Sequence, residues 1–406
     1  MQTLQHTLDN GIRLVHYRTG GMVAYCGLII NTGSRDEKGS EHGIAHFIEH
    51  MLFKGTNKHK AYHILTRLDS LGGELNAYTT KEETVIHASV LTGDFEKAVD
   101  TISDIVINSS FPEREIMKEK EVVTDEINSY LDNPAELIFD DFEEMIFPGQ
   151  ILGRNILGTP ASVKSFTRND LFNFMARTYN TRQMVFCSVG NIADWKILRL
   201  FTKYFSQASK TKTNKREAGA PFYKPANITA NKNTCQNHCI IGNVAYDLRD
   251  RRRVGMFLLN NILGGQGLNS RLNMSLREKN GIAYNVESSY NAYYDTGIFS
   301  IYFGTDPKNL DKSLSVAFSE LNKLRKSLLG SMQLMRAKNQ IKGYLARGYE
   351  NHENLMLSLG KSLLVYGRTE SLEEICLKID RLTSFELIET ANEVFEPSGM
   401  STLIYK

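Results

Sequence analysis

The feature that most constrains the fold is an internal repeat. The segment TRNDLFNFMARTYNTRQMVFCSVG, beginning at Thr167, aligns without a gap on TSFELIETANEVFEPSGMSTLIYK, beginning at Thr383. Thr167 falls on Thr383, Leu171 on Leu387, Tyr179 on Phe395 and Met184 on Met400. Each segment reads as a helix followed by a strand, and each closes a stretch of roughly two hundred residues. A chain of 406 residues is long for one hydrophobic core, so the repeat implies duplication into two domains. The text between the halves is polar, basic and poor in large apolar residues, which marks a linker. The expected division is a domain over 1–207, a linker over 208–228 and a homologous second domain over 229–406.

Within the first half, alternating segments flank Asp9-Asn10-Gly11, a hairpin signal because Asn-Gly accommodates positive φ. YCGLIINTGS reads as a buried strand, HILTRLDSLGG as a helix ending at Gly72-Gly73, and ELNAYTTKEETVIHASVL as two strands. An amphipathic helix follows in DFEKAVDTISDIVINSS, then a long charged helix from about Pro112 to Leu131. The expected class is α+β, with two homologous domains of antiparallel or mixed β-sheet packed with helices.

Composition narrows the partners. Hydrophobic residues at 41% and charged residues at 23% are the balance of a soluble globular protein. Net charge is +2, from 48 basic and 46 acidic residues, so neither nucleic acid nor an anionic membrane is an expected partner. The start carries no basic and apolar leader pattern, and no apolar run approaches the ~20 residues of a membrane span. Five cysteines, Cys26, Cys187, Cys235, Cys239 and Cys376, are odd in number and lie in strand-like or helical text. They read as reduced thiols, and the expected location is cytoplasmic.

EHGIAHFIEHMLFKGT, residues 41–56, carries the chemistry. On a helical wheel Ile44, Phe47, Ile48, Met51 and Leu52 form one apolar stripe, while His46, Glu49, His50 and Phe53 fall on the opposite side. Histidines four residues apart project from successive turns in one direction, the spacing that lets two imidazoles reach one metal ion. Glu49 leans to one side of the pair, where it can hold a water instead of the metal. A catalytic zinc normally takes three protein ligands and leaves a position open. The charged helix offers Glu113, Glu115, Glu119, Glu121, Asp125 and Glu126 as the third, and spacing alone does not choose among them.

HxxEH is the zinc-peptidase motif HExxH in reverse order. GIAHFIEHMLFKGT, GGELNAYTTKEETVIHA and LREKNGIAYNVESSYNAYYDTGIFSIY together resemble the M16 (pitrilysin-like, inverzincin) metallopeptidases, in their two-domain bacterial and mitochondrial-processing-peptidase-like branch. The resemblance covers essentially the whole chain and implies the LuxS/MPP-like metallohydrolase fold. It implies one Zn²⁺ per chain on His46, His50 and Glu126, with Glu49 as general base. Glu119, seven residues before Glu126 and on the same helix face, is implied to support the ligands, as is Glu82. Asn76 and Ala77, on a sheet edge beside the zinc, are implied to contact the substrate backbone. Arg277 and Tyr284 match the pair that this family sets against the scissile peptide.

The expected activity is zinc-dependent endopeptidase cleavage of peptides or unfolded polypeptide segments in a closed chamber. Because this branch supplies half of a four-domain clamshell, a homodimer with composite sites is the expected assembly. A catalytically silent scaffold and one subunit of a heteromeric peptidase are the alternatives; the intact His46, Glu49, His50 and Glu126 speak against the first. CQNHC at 235–239 lacks a second ligand cluster and GGQG at 264–267 lacks a phosphate-loop ending, so neither is read as a site. His59, His63 and His87 read as ordinary polar residues.

Overall fold

The computed structural model describes residues 3–210, 223–232 and 234–406, so the central part of the expected linker, 211–222, lies outside the described residues. The chain forms two compact units. Described residues of the first are 3–128, 155–210 and 347–371; those of the second fall within 129–154, 223–346 and 372–406. Each is a mixed β-sheet packed with helices, the α+β class expected.

The first unit is built on six strands: β1 (Leu4–Thr7), β2 (Arg13–Arg18), β3 (Val23–Ile30), β4 (Glu74–Thr79), β5 (Thr84–Leu91) and β6 (Met184–Gly190). Their order across the sheet is β1-β2-β6-β3-β5-β4, antiparallel except for β2 beside β6. β1 and β2 meet across the Asn10-Gly11 turn, where Gly11 takes φ +97. VAYCGLII and MVFCSVG, β3 and β6, are nearly continuous apolar runs because both sheet faces are covered. On one face Leu28, Ile30, Ile86 and Phe186 pack with the helices Ile44–Leu52, Phe95–Ile107 and Asp194–Phe205. On the other, Val15, Ile29, Val85 and Cys187 meet Leu355, Met356, Leu359 and Leu363 of the helix His352–Tyr366.

The second unit contains β7 (Asn227–Ala230), β8 (Asn237–Ala245), β9 (Val286–Ala292), β10 (Gly297–Thr305) and β11 (Ser401–Tyr405). The order β7-β11-β8-β10-β9 reproduces β2-β6-β3-β5-β4, with β11 parallel to β7 and the other pairs antiparallel. One face packs on the helices Arg253–Gly264, Leu310–Lys326 and Ser384–Val394; the other packs on Pro134–Ile146 through Leu137, Ile138 and Phe142. The aligned threonines do the same work in both units. Thr167 and Thr383 are N-caps that accept from the backbone N–H of Asp170 and Glu386, which answer with their carboxylates.

The division at 207 and 229 separates β1–β6 from β8–β11, with β7 starting inside the expected linker. Two helices run across it: Pro134–Ile146 packs in the second unit and His352–Tyr366 in the first. Among the described residues no helix is long and apolar enough to cross a membrane, and the five cysteines are free.

Gly360 lets the helix His352–Tyr366 lie close on the first sheet. A Cβ there would stand 2.6 Å from Ile29 Cδ1 and 2.9 Å from Cys187 Sγ. Gly360→Val is therefore expected to lower the unfolding free energy by about 1–3 kcal/mol, read as a lower denaturant midpoint.

Candidate metal centre

The helix Ile44–Leu52 is only nine residues long, so its position is set by what it touches. Ile44, Phe47, Ile48, Met51 and Leu52 are all fully buried in the core of the first unit. Its N-terminus is capped from an unexpected place. Glu37, itself buried, accepts from the backbone N–H of Gly43 at 3.0 Å and of Ala45 at 3.1 Å. A carboxylate there satisfies orphan donors and complements the helix dipole. Gly43 takes φ +91, and a Cβ on it would lie 2.5 Å from the Leu157 carbonyl, so only glycine fits this entry to the helix.

With the apolar face fixed, His46, Glu49 and His50 face away from it, toward the helix Glu113–Leu131. The ring centroids of His46 and His50 are 4.6 Å apart. Glu126 Oε1 lies 3.8 Å from His46 Nε2, and Glu126 Oε2 lies 3.5 Å from His50 Nε2. His50 Nδ1 is 2.8 Å from Glu119 Oε1, and the second oxygen of Glu119 is 2.7 Å from Lys54 Nζ. Of the six carboxylates on that helix, the structure brings Glu126 and Glu119 to the histidines.

Three observations fit this cluster to a metal ion. One donor atom each from His46, His50 and Glu126 lies within 4.8 Å of the others. Ligands held tetrahedrally at ~2.0–2.1 Å stand roughly 3.3–3.4 Å apart, close to the two histidine–glutamate distances and beyond ordinary hydrogen bonding. Two imidazoles and a carboxylate are a donor set that suits zinc.

Electrostatics separate the members. Burial pushes His46 down to about 4, and His50 pushes the same way, so this imidazole is neutral and its lone pair is available. Burial opposes the charged form of His50 too, but the hydrogen bond to Glu119 and the charges of Glu126, Glu119 and Glu49 outweigh it and raise its pKa. Burial works against the Glu119 carboxylate, yet His50 and Lys54 hold it below its ordinary range. Burial raises Glu49 above the ordinary carboxylate value, helped by Glu126 and countered by Thr79 and His50.

The strand beside this site is β4, an edge strand that among the described residues pairs only with β5. Thr80 N–H donates to the Glu83 carbonyl at 2.7 Å. Alternation along the strand then turns the backbone of Tyr78 and Asn76 toward β5 and leaves that of Leu75, Ala77 and Thr79 facing the open edge. Leu75 and Ala77 pack on the side of the histidine helix; Asn76 is exposed and, by alternation, shares the opposite face with Tyr78. Glu82 is buried in an ion pair with Arg35 at 2.6 Å, which fastens the β4–β5 turn to residues 33–36. Arg277 and Tyr284 belong to the second unit. Arg277 lies in the short helical segment Asn273–Glu278 with its side chain more than half exposed, and Tyr284 is 68% exposed.

Sequence reasoning missed Lys54 and Glu37. Lys54 stands four residues after His50, a spacing that could have suggested a shared partner; Glu37 gives no local sign, since it caps from outside the usual three-residue reach.

The comparisons with known proteins agree with this geometry. The model of the family described as "Insulinase (Peptidase family M16)" matches residues 14–160, and that described as "Peptidase M16 inactive domain" matches 165–341. A Rickettsia bellii protein described as "Uncharacterized zinc protease" is 34% identical, covering 98% of this chain and 96% of its own. A Bacillus subtilis zinc protease is 33% identical over 98% and 97%. Among solved structures, a Helicobacter pylori protease has the same fold at TM-score 0.90 and 21% identity, covering 100% of this chain and 99% of its own. A Pseudomonas fluorescens structure described as a peptidase M16 inactive domain gives 0.91 at 20%, covering 100% and 98%.

The Lys54–Glu119–His50 arrangement orients the His50 ring. Lys54→Met and Glu119→Gln are each expected to weaken zinc binding by about 10–100-fold, measured by competition with a chromogenic chelator.

Proposed function

The chain belongs to the insulinase family of zinc peptidases, M16, and from that premise we propose that it is an endopeptidase acting on peptides or unfolded polypeptide segments. The observation that carries this reading is the convergence of His46, His50 and Glu126, with Glu49 on the same helix face. His46 and His50 through Nε2, together with Glu126, would hold one Zn²⁺ per chain. When bound, zinc supplies Lewis acidity, which polarises a peptide carbonyl and makes water easier to deprotonate.

The chain's own groups do the rest. Glu49 takes the proton of the attacking water on its carboxylate and delivers it to the departing amine nitrogen. Glu49 sits on the same helix face as the two histidines, where a general base must stand to reach that water. Glu119 keeps the His50 ring turned so that Nδ1 donates to it and Nε2 remains free. The free edge of β4 receives the substrate as an added strand, with Ala77 offering main-chain hydrogen bonds and Asn76 a polar side chain nearby. Main-chain pairing of this kind demands an extended substrate and reads little of its sequence, which suits peptides and unfolded segments.

Arg277 and Tyr284 serve as donors to the developing oxyanion, presented by a second copy of the chain in a homodimer that closes a chamber around the substrate. Their exposure and their place in the second unit support that assignment. The working location in this reading is the cytoplasm.

Glu49→Gln is expected to retain zinc, by metal analysis, and to lose peptide cleavage by about 10²–10⁴-fold; near-normal turnover would remove Glu49 from the mechanism. Mixed dimers of Glu49→Gln and Arg277→Ala chains are expected to regain part of the lost activity. No recovery after mass-verified subunit exchange would exclude shared sites.

A further inference from the structure

The face of the β4–β5 hairpin turned away from the histidine helix carries a second ordered cluster of charge. Lys361 Nζ is 2.7 Å from Glu83 Oε2, and Glu353 Oε1 is 2.7 Å from His87 Nδ1. Both Lys361 and Glu353 belong to the helix His352–Tyr366 that covers this face of the first sheet. The two contacts are matched in length. Eight residues of helix span ~12 Å, and the four residues from Glu83 to His87 span ~13 Å of extended chain. The helix therefore meets the hairpin at two points without bending either.

Between those points lies Tyr78. It pairs in register with Val85, midway between Glu83 and His87, and its side chain shares their face. Lys361 Nζ stands 5.8 Å from the centre of the Tyr78 ring, and His87 meets the ring edge-on at 6.1 Å between centroids. The grip thus reaches through Tyr78 onto β4, a strand that among the described residues has a backbone partner on one side only. An unpaired edge is the part of a sheet most free to fray, so its position must be set through its faces. On the site side Leu75 and Ala77 supply contacts to the core; on the far side Tyr78 supplies this one.

We propose that Lys361 and Glu353, acting through Glu83, His87 and Tyr78, are positioning residues that hold the β4 edge in register for an extended peptide. The proposal rests on the reading of β4 as the docking edge. Neither residue touches a metal ligand, so the clamp governs substrate binding and leaves the chemical step alone.

The test compares full-length Lys361→Met, the charge-balanced pair Lys361→Met with Glu83→Gln, Glu353→Gln, and Lys361→Arg. The charge-balanced pair guards against misfolding caused by a stranded buried carboxylate. Zinc content, kcat and KM for a fluorogenic peptide, and amide hydrogen exchange over 74–79 are measured for each. The expected result is unchanged zinc, KM higher by about tenfold with kcat within about twofold, and faster exchange in β4, with recovery in Lys361→Arg. Unchanged KM in folded variants overturns the proposal, as does an equal fall of kcat and zinc content. An unaltered protein that cleaves no peptide while binding zinc would overturn the docking reading and the proposal with it. An active protein with insensitive KM overturns the clamp alone.

Discussion

The burial of one face of a nine-residue helix is the constraint on which the site depends. Ile44, Phe47, Ile48, Met51 and Leu52 are withdrawn fully from water. Each contributes roughly 1.5–3 kcal/mol by burial. A helix this short is marginal alone, so its existence and its rotation are set by that packing. Turning it by one residue would carry Ile48 toward water and a histidine toward the core. The ends are fixed as firmly: Glu37 and Gly43 at the start, Lys54 with Glu119 just beyond the finish. The two imidazoles are aimed by hydrophobic forces and held by polar ones.

The second unit shows what the fold provides without this chemistry. Its strands repeat the order β2-β6-β3-β5-β4, and after β8 it too places a helix, Arg253–Gly264, on the sheet. That helix contains no histidine and no carboxylate. The same architecture therefore carries the His46, His50 and Glu126 cluster in one unit and no histidine or carboxylate on the matching helix of the other. Stability and chemistry are separable properties of the fold, and the chemistry lives in a few polar residues on one helix face.

How much of this was legible in sequence depends on the range of the interaction. The two faces of residues 44–53 follow from helical periodicity, and Thr167 and Thr383 from local capping chemistry; both are decided within a turn or two. The third member of the cluster was not legible from spacing, because Glu119 and Glu126 look like any carboxylates on a charged helix. Packing distinguishes them: the Glu119 side chain is 5% exposed and Glu126 43%, and both meet His50. The covering helices were opaque for the same reason. Periodicity shows that His352–Tyr366 and Pro134–Ile146 have apolar faces, but a face does not name the sheet it will cover. Glu82 illustrates the limit from the other side: its partner at 2.6 Å is Arg35, a pairing 47 residues apart that no local pattern announces.

Charge balance explains why the carboxylates occur as a graded pair. A buried carboxylate is costly unless its oxygens are satisfied, and Glu119 meets that condition with one oxygen on His50 and the other on Lys54. It is thus a fixed anion whether or not a metal is bound, and it orders His50 in advance. Glu126 is more open to water and faces both histidines at distances too long for hydrogen bonds. Its side chain, 43% exposed, has room to adjust toward an ion placed among the three donors. His46, pushed down to about 4 by burial, needs no proton removed before it can bind. One donor is pre-oriented, one is pre-neutralised and one is left adjustable, an arrangement that could receive a metal ion without demanding that three charges be buried at once.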